Sequence, residues 1–466
     1  MRKHVFGCRL AGLAVAMGVL LLVSVPYAQA GMRGDINGDG DGTIDGSECR
    51  ELRDPVDIGL LYAKPDPIAA ADFDGDGTAD MVVGYDHGNM VTLYKGEGDG
   101  AFSAGTDYYV PNDSAHPSVG DIKVADFDGD GHPDIVVSNH RYGHSLHIFY
   151  RQPDGTLGDR FDVQVGSQPA EILVRDFNAD GRPDAAVVCV LSNDVYVLHG
   201  QPDGTLAVVQ QYSVGTHPYH LAYADVNADG TSDLLVCNLV SDSISALSGQ
   251  TGGLFEPAYT WQSLDDPYGI ECADFNADGL ADIAVASGVQ SSITVFYNQG
   301  AGVFVPVVLA TGYGPNDVEI GDFNQDGIPD LAVSTYPPDG GADVFLGAPS
   351  TGLGQRQHLT SGDYGTEVCA HDFDGDGWPD LAISVWPTTH ARLFFNRPRL
   401  VLRGDLDCDG LVGFTDINPF VLLLSDPALW QQTYFNCLAL NGDINEDGAV
   451  DFGDINPFVA LLSAGD

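Results

Sequence analysis

The chain of 466 residues carries 67 acidic against 19 basic side chains, a formal net charge of −48, and is 44% hydrophobic. The hydrophobic share excludes a disordered polymer, and the charge argues against nucleic acid or an anionic membrane surface as a partner. Most of the acid sits in Asp-Gly loops spaced like metal ligands, so bound cations are the expected neutraliser.

Residues 1–30 read as a secretory signal. Arg2 and Lys3 open it, an apolar stretch runs from Leu10 to Val25, and Ala28-Gln29-Ala30 supplies a small-x-small cleavage site. The stretch is short for a retained anchor, so a secreted mature protein beginning near Gly31 is expected, extracellular, at the cell surface or periplasmic. No later segment approaches the roughly 20 apolar residues that a bilayer span needs. Loss of Cys8 leaves Cys49, Cys189, Cys237, Cys272, Cys369, Cys408 and Cys437, an odd number. Cys408 and Cys437 are the expected pair, because both fall in one small C-terminal unit. The others read as free cysteines, most of them on strands.

Residues 31–54 form an acidic segment. Within it Asn37, Asp39, Asp41, Gly42, Ile44, Asp45 and Glu48 fit positions one, three, five, six, eight, nine and twelve of a calcium turn, with a flexible acidic linker as the alternative.

From 55 to 400 one motif recurs seven times, beginning at Asp72, Asp126, Asp176, Asp225, Asp274, Asp322 and Asp372, at steps of 48 to 54 residues. A fixed step of this size with strand-like runs in each unit signals a blade array. Each unit has an apolar strand entering the Asp loop, a second leaving it (Ile135-Val136-Val137), a third (Leu146 to Tyr150), then a turn such as Pro153-Asp154-Gly155 into a fourth. The seventh unit lacks a fourth strand, whereas Val56 to Tyr62 precedes the first unit as a spare. That strand is expected to complete the last blade and close the ring.

Calcium wants six to eight oxygen ligands, and each loop offers them at positions one, three, five and nine around a bend. The candidate ligands are Asp72, Asp74, Asp76 and Asp80, then Asp126, Asp128, Asp130 and Asp134, and Asp176, Asn178, Asp180 and Asp184. They continue as Asp225, Asn227, Asp229 and Asp233, as Asp274, Asn276, Asp278 and Asp282, as Asp322, Asn324, Asp326 and Asp330, and as Asp372, Asp374, Asp376 and Asp380. About one Ca2+ per loop is expected in a structural role. These repeats resemble the FG-GAP or VCBS repeats of the integrin alpha type of seven-bladed propeller, although the name-giving Phe-Gly tripeptide is missing. The resemblance implies a calcium-carrying propeller used for adhesion, carbohydrate binding or scaffolding.

Five residues before the Asp loops, Asp121, Glu171, His220, Asp317 and Glu367 give five of the seven units a polar side chain on the strand expected to line the axial channel. They are candidates for binding a cation or sugar hydroxyls, with a solvated rim as the plainer alternative. Tyr85, Tyr142, Tyr336 and Trp386 follow the second strands and are candidates for stacking on a ligand. Metalloprotease, nucleophile-elbow, Cys-x-x-Cys and phosphate-loop motifs are missing from the sequence.

Residues 401–466 hold two twelve-residue EF-type loops. Their ligand candidates are Asp405, Asp407, Asp409 and Asp416, and Asp443, Asn445, Asp447 and Asp454, each loop running into Asp-Ile-Asn-Pro-Phe-Val and a Leu-rich helix. The pair resembles a dockerin type I domain, which implies two bound calciums and docking onto a cohesin-like partner. At loop positions ten and eleven, Phe414 and Thr415, then Phe452 and Gly453, depart from the usual Ser-Thr. Phe420 and Phe458 read as the core between the helices.

The expectation is a mainly β, seven-bladed propeller closed by an N-terminal strand, with a small helical dockerin-like unit. Functionally it reads as a secreted, calcium-binding, non-catalytic propeller for a glycan or protein ligand, attached through that unit to a partner. A polysaccharide-degrading enzyme or its accessory subunit is the first alternative, and a structural adhesion protein the second.

Overall fold

The computed structural model describes residues 50–398 apart from 99, 112–117, 142, 301 and 339, and beyond them 406, 414–425, 427, 429, 442, 444, 450 and 452–464. The chain divides into a compact unit at Leu52–Asn396 and a second that contains Arg397–Asp466.

The first unit is a ring of seven four-stranded antiparallel sheets. Blade 1 has its inner strand at Pro65–Ala71, and blades 2 to 7 begin at Ser118–Ala125, Pro169–Arg175, Pro218–Ala224, Pro267–Ala273, Val318–Gly321 and Tyr364–His371. Second strands such as Asp184–Cys189 and Asp330–Thr335 are buried at every residue, because both faces of a blade pack on neighbours. Continuous β-branched and apolar runs therefore replace the alternation of a half-exposed sheet.

The core is seven clusters, one at each interface between blades. Phe127, Val136, Leu146 and Ile148 of blade 2 meet Ile172, Ala185, Val187 and Leu198 of blade 3 in one of them. Phe373, Ala382, Leu393 and Phe395 of blade 7 meet Ile68, Met81 and Val83 of blade 1 in another, which closes the ring. Position two of each Asp loop is buried in one of these clusters, as with Phe73, Phe127, Phe177, Val226, Phe275, Phe323 and Phe373. Burying one Phe stabilises by about 1.5–3 kcal/mol, so every loop is pinned to an interface.

Blade 7 is completed by Arg50–Gly59, which lies beside His390–Pro398 at the edge of the sheet. The closing strand thus precedes the expected Val56 to Tyr62 by several residues. Leu60 and Lys64 donate their N–H groups to Thr389 and Thr388 carbonyls, both at 2.8 Å, and Lys64 turns the corner into blade 1 at φ 65°. Leu61 and Tyr62 fall on that corner and are exposed.

In the second unit, 3-10 turns at Phe414–Asp416 and Phe452–Asp454 lead into helices Ile417–Ser425 and Ile455–Ala464. Pro419 and Pro457 occupy first turns, where a missing N–H costs nothing. Phe420 and Phe458 are buried with ring centroids 4.6 Å apart, forming the core between the helices.

Candidate metal loops and axial chamber

All seven Asp loops share one hydrogen-bond frame. One oxygen of the position-one Asp accepts the N–H of position five at 3.0–3.1 Å. Its other oxygen accepts the N–H of the position-six Gly at 2.7–3.0 Å. That Gly has φ between 80° and 91°, as at Gly327 and Gly77, a conformation that excludes a side chain at little cost only for glycine.

The position-nine Asp is buried in every loop and ties the loop to the end of the third strand of its blade or to the residues just after it. Asp80 accepts from Gly96, Asp134 from Arg151, Asp184 from Gly200, Asp233 from Gly249, Asp282 from Asn298, Asp330 from Gly347 and Asp380 from Asn396, all at 2.7–2.9 Å. Burial pushes Asp134 and Asp282 up to about 6, and Asp330 and Asp380 to about 7.

In three loops the carboxylates of positions one, three and nine converge within 4.8 Å: Asp72, Asp74 and Asp80; Asp126, Asp128 and Asp134; Asp372, Asp374 and Asp380. Three acids at this spacing repel one another unless a proton or cation lies between them, and a hard divalent cation fits this donor set. Position five turns elsewhere. Asp76 and Asp130 accept the position-seven N–H at 2.8 and 2.9 Å, so this expected ligand stands outside the convergent trio. In the other four loops Asn178, Asn227, Asn276 and Asn324 accept the position-five N–H through Oδ1 at 2.8–3.1 Å.

A second constellation lies at one mouth of the axial channel. A small cavity of about 30 Å³ is lined by Asp66, Gly120, His140, Ala170, Glu171, Tyr219, His220, Asn316, Asp317 and Glu367. Four of the five sequence-predicted ring residues therefore meet there. His220 joins two of them across the channel, with Nδ1 3.8 Å from Glu171 and Nε2 3.6 Å from Asp317.

Asp121 departs from that expectation. Its two oxygens accept the N–H groups of Ile122 and Ile172, both at 2.7 Å, and it is buried behind the chamber wall. The same interblade staple recurs where Asp317 accepts from Val368 at 2.9 Å and Glu367 from Ile68 at 3.2 Å. These acids thus join neighbouring inner strands as well as facing the channel.

Sequence reasoning missed Asp66, His140, Tyr219 and Asn316, and a second tier three residues before the loops: Lys123, Glu271 and Glu319. Lys123 Nζ lies 3.3 Å from Asp121 and 3.4 Å from Glu171. Burial pushes Asp66, Glu271 and Asp317 up to about 7, Glu319 to about 8 and Asp121 to about 6. Asp86 adds to the rise at Asp66, while Lys123 opposes it at Glu319.

Residues 72–137, 126–187, 176–236 and 274–333 match the FG-GAP-like repeat. FG-GAP-like repeats build these blades. Blade 7 lies beyond the matched FG-GAP-like segments, yet its loop keeps the frame described above. The chain matches no curated protein sequence. Among solved structures, BBS1N in complex with ARL6DN is similar at 13% identity and a TM-score of 0.54, over 75% of this chain and 97% of that one. Virginiamycin B lyase from Staphylococcus aureus is similar at 12% identity and a TM-score of 0.50, over 73% and 99%. A catalytically inactive form of that lyase with quinupristin gives 14% identity and a TM-score of 0.50, again over 73% and 99%. What these likenesses establish is the propeller fold.

The predicted aromatic candidates separate. Tyr85 is core, 2% exposed, with its hydroxyl 3.0 Å from that of Tyr94, so it stacks on no ligand. Tyr336, Tyr364 and Trp386 form an edge-to-face chain at 5.3 and 5.5 Å, with Lys64 Nζ 5.5 Å from the Trp386 ring. Tyr142 lies outside the described residues.

Ser145, His147 and Asp162 show distances like those of a nucleophilic triad, 3.1 and 2.7 Å. The chemistry is otherwise. His147 pairs with Asp162 across the third and fourth strands, as Thr92 pairs with Asp107 and Asp343 with His358 in other blades. This is a cross-strand lock, with Ser145 and His147 both buried.

In the second unit Asp416 and Asp454 are fully buried and accept the N–H groups of Leu406 and Ile444 at 2.5 and 2.7 Å. The ligand candidates Asp405, Asp407, Asp409, Asp443, Asn445 and Asp447, those at Asn37, Asp39, Asp41 and Glu48, and the pair Cys408 and Cys437 lie outside the described residues.

Proposed function

We propose that the protein is a secreted, calcium-stabilised propeller that acts as a non-catalytic binding module for a glycan or protein ligand, with its C-terminal unit as a dockerin-like tether to a partner. The observation that carries the reading is the convergence of Asp72, Asp74 and Asp80, and of their counterparts, on one rigid frame repeated around the ring. Ca2+ in these loops offsets mutual repulsion of the carboxylates and joins the first and second strands of each blade. In the tether, the position-twelve carboxylates Asp416 and Asp454 reach back to position two of their own loops, which supports paired calcium loops.

The test is a glycan array probed with the calcium-loaded mature protein and again in chelator, with the same polysaccharides monitored for new reducing ends. Calcium-dependent binding without cleavage is expected. Cleavage favours the second reading, a polysaccharide-degrading enzyme, to which the His220 and Asp317 pair at 3.6 Å gives an acid-base couple.

A further inference from the structure

We propose that the outer edge of blade 5 is a self-association surface, on which a second copy of this chain packs side chain to side chain. Such a contact is independent of what the channel face or the Asp loops bind.

Charge is the first observation. From Ile283 to Asn316 the chain carries no Asp, Glu, Lys, Arg or His, its longest such run in a molecule of formal net charge −48. The run takes in nearly all of the second strand of blade 5, the whole of its third and fourth strands at Ser292–Asn298 and Phe304–Ala310, and the connection into blade 6.

The fold turns that run outward. Phe304 and Leu309 anchor the fourth strand, packing against the cores shared with blades 4 and 6. Around them Val303, Val305, Val307 and Val308 stand exposed, Val308 at 64%. Because side chains alternate along a strand, Val305 and Val307 lie on one face and Val308 on the other. Thr311 donates its N–H to the Ser291 carbonyl at 3.0 Å, which brings the hairpin of Val289, 75% exposed, and the exposed Tyr313 to the same edge. Contiguous exposed apolar surface of this kind marks an interaction site.

The devices that ordinarily protect a sheet edge are charge and bulges. Among the described residues the outer strands of blades 1, 2, 6 and 7 carry Asp107, Asp162, Arg356 and Asp57, and those of blades 3 and 4 pair through a bulge, at Val197/Leu198 and Ile244/Ser245. Blade 5 has neither, its outer ladder running in unbroken register from Ser292–Ala310 to Asn298–Phe304. Pro306 alone remains, and a residue without an N–H in mid-strand interrupts any continuation of the ladder into another chain. Contact through the valine side chains, rather than a shared sheet, is the mode that is left.

Charge also selects the occupant. Two copies at −48 repel each other over the rest of their surface, and a basic partner is drawn to acid, of which this band has none. A second copy brings the same band about a two-fold axis, so one patch serves both sides of the contact. Meeting there keeps the carboxylates of each copy in solvent. A strand of 7 residues makes a small interface, so association in the micromolar range is expected.

The test is sedimentation equilibrium of the full chain in calcium. A monomer–dimer equilibrium is expected, strengthened by added salt, which screens the residual repulsion. In Val308→Asp it is expected to weaken about tenfold or more, because the contact then buries an unpaired carboxylate from each copy. Val308→Thr keeps the shape and strand propensity of valine and is expected to weaken it in the same direction, which separates lost contact from a damaged strand. Val209→Asp, at an exposed position on the outer strand of blade 3, makes the same change of net charge and is expected to leave the equilibrium as it was. A monomer at every concentration overturns the proposal and leaves the band to a different partner. A dimer that Val308→Asp leaves intact, or that Val209→Asp weakens equally, overturns it as well.

Discussion

Arg392 donates to both carboxylate oxygens of Asp57, at 2.7 and 3.0 Å, across 335 residues of chain. The pair fastens the N-terminal strand to blade 7, and Arg392 also reaches the Thr360 and Ser361 carbonyls at 3.2 and 2.8 Å. Asp57 is half exposed, so Asp57→Ala is expected to cost only about 1 kcal/mol. Arg392→Ala, which also frees two carbonyls, is expected to cost about 2 kcal/mol. Urea unfolding of the two variants in calcium checks the order.

Asp374 and Asp380 stand in one loop and do different work. Asp380 accepts the Phe373 and Asn396 N–H groups at 2.9 and 2.7 Å, and Asn396 in turn donates to the Phe323 carbonyl of blade 6 at 2.6 Å. Asp380→Ala is expected to destabilise by about 3 kcal/mol in chelator, through the lost N–H partners, and by more in calcium, where it also removes a ligand. Asp374→Ala is expected to destabilise in calcium and scarcely in chelator. Denaturation curves in both conditions separate the structural role from the ionic one.

The channel acids set a pH dependence. Asp66, Glu271 and Asp317 at about 7 and Glu319 at about 8 lie above the roughly 4 of an unfolded carboxyl. Their contribution is fully present below the unfolded value and is lost progressively as pH rises from about 4 to 8, through the folded values. His220, held low by burial, opposes this, contributing above its unfolded value and losing that contribution as pH falls. In saturating calcium Tm is expected to fall from about pH 5 to pH 8. Glu319→Gln should flatten the slope, as scanning calorimetry at fixed calcium can show.

The repeat step and the missing fourth strand of the last unit made the seven blades and their closure legible, because both are written in local sequence. What was not legible lies in contacts between blades. Asp121 has the same spacing as Glu171, yet both of its oxygens are taken by backbone N–H groups, that of Ile122 and that of Ile172 in the next blade, 51 residues on. Asp66 joins the chamber because inner strands carry a bulge, between Pro65 and Ile68 in blade 1 and between Pro218 and His220 in blade 4, which defeats a strict alternation of faces. Tyr85 reads as a rim residue by position and is core, since the last residue of its strand still packs on the Tyr94 and Leu393 side of the interface.

Ser145, His147 and Asp162 give a separate check. As a cross-strand lock they are expected to resist a fluorophosphonate probe, while Asp162→Asn lowers stability by about 1 kcal/mol. Labelling at Ser145, read by mass spectrometry, is the contrary result.

The most direct measurement is calcium titration of the chelator-stripped protein, by calorimetry alongside Tm. The expected result is binding of several ions, in line with the seven Asp loops, with a Tm that rises as the loops fill and falls back in chelator. No calcium uptake, or an unchanged Tm in chelator, would contradict the assignment of these loops as metal sites that hold the blades together.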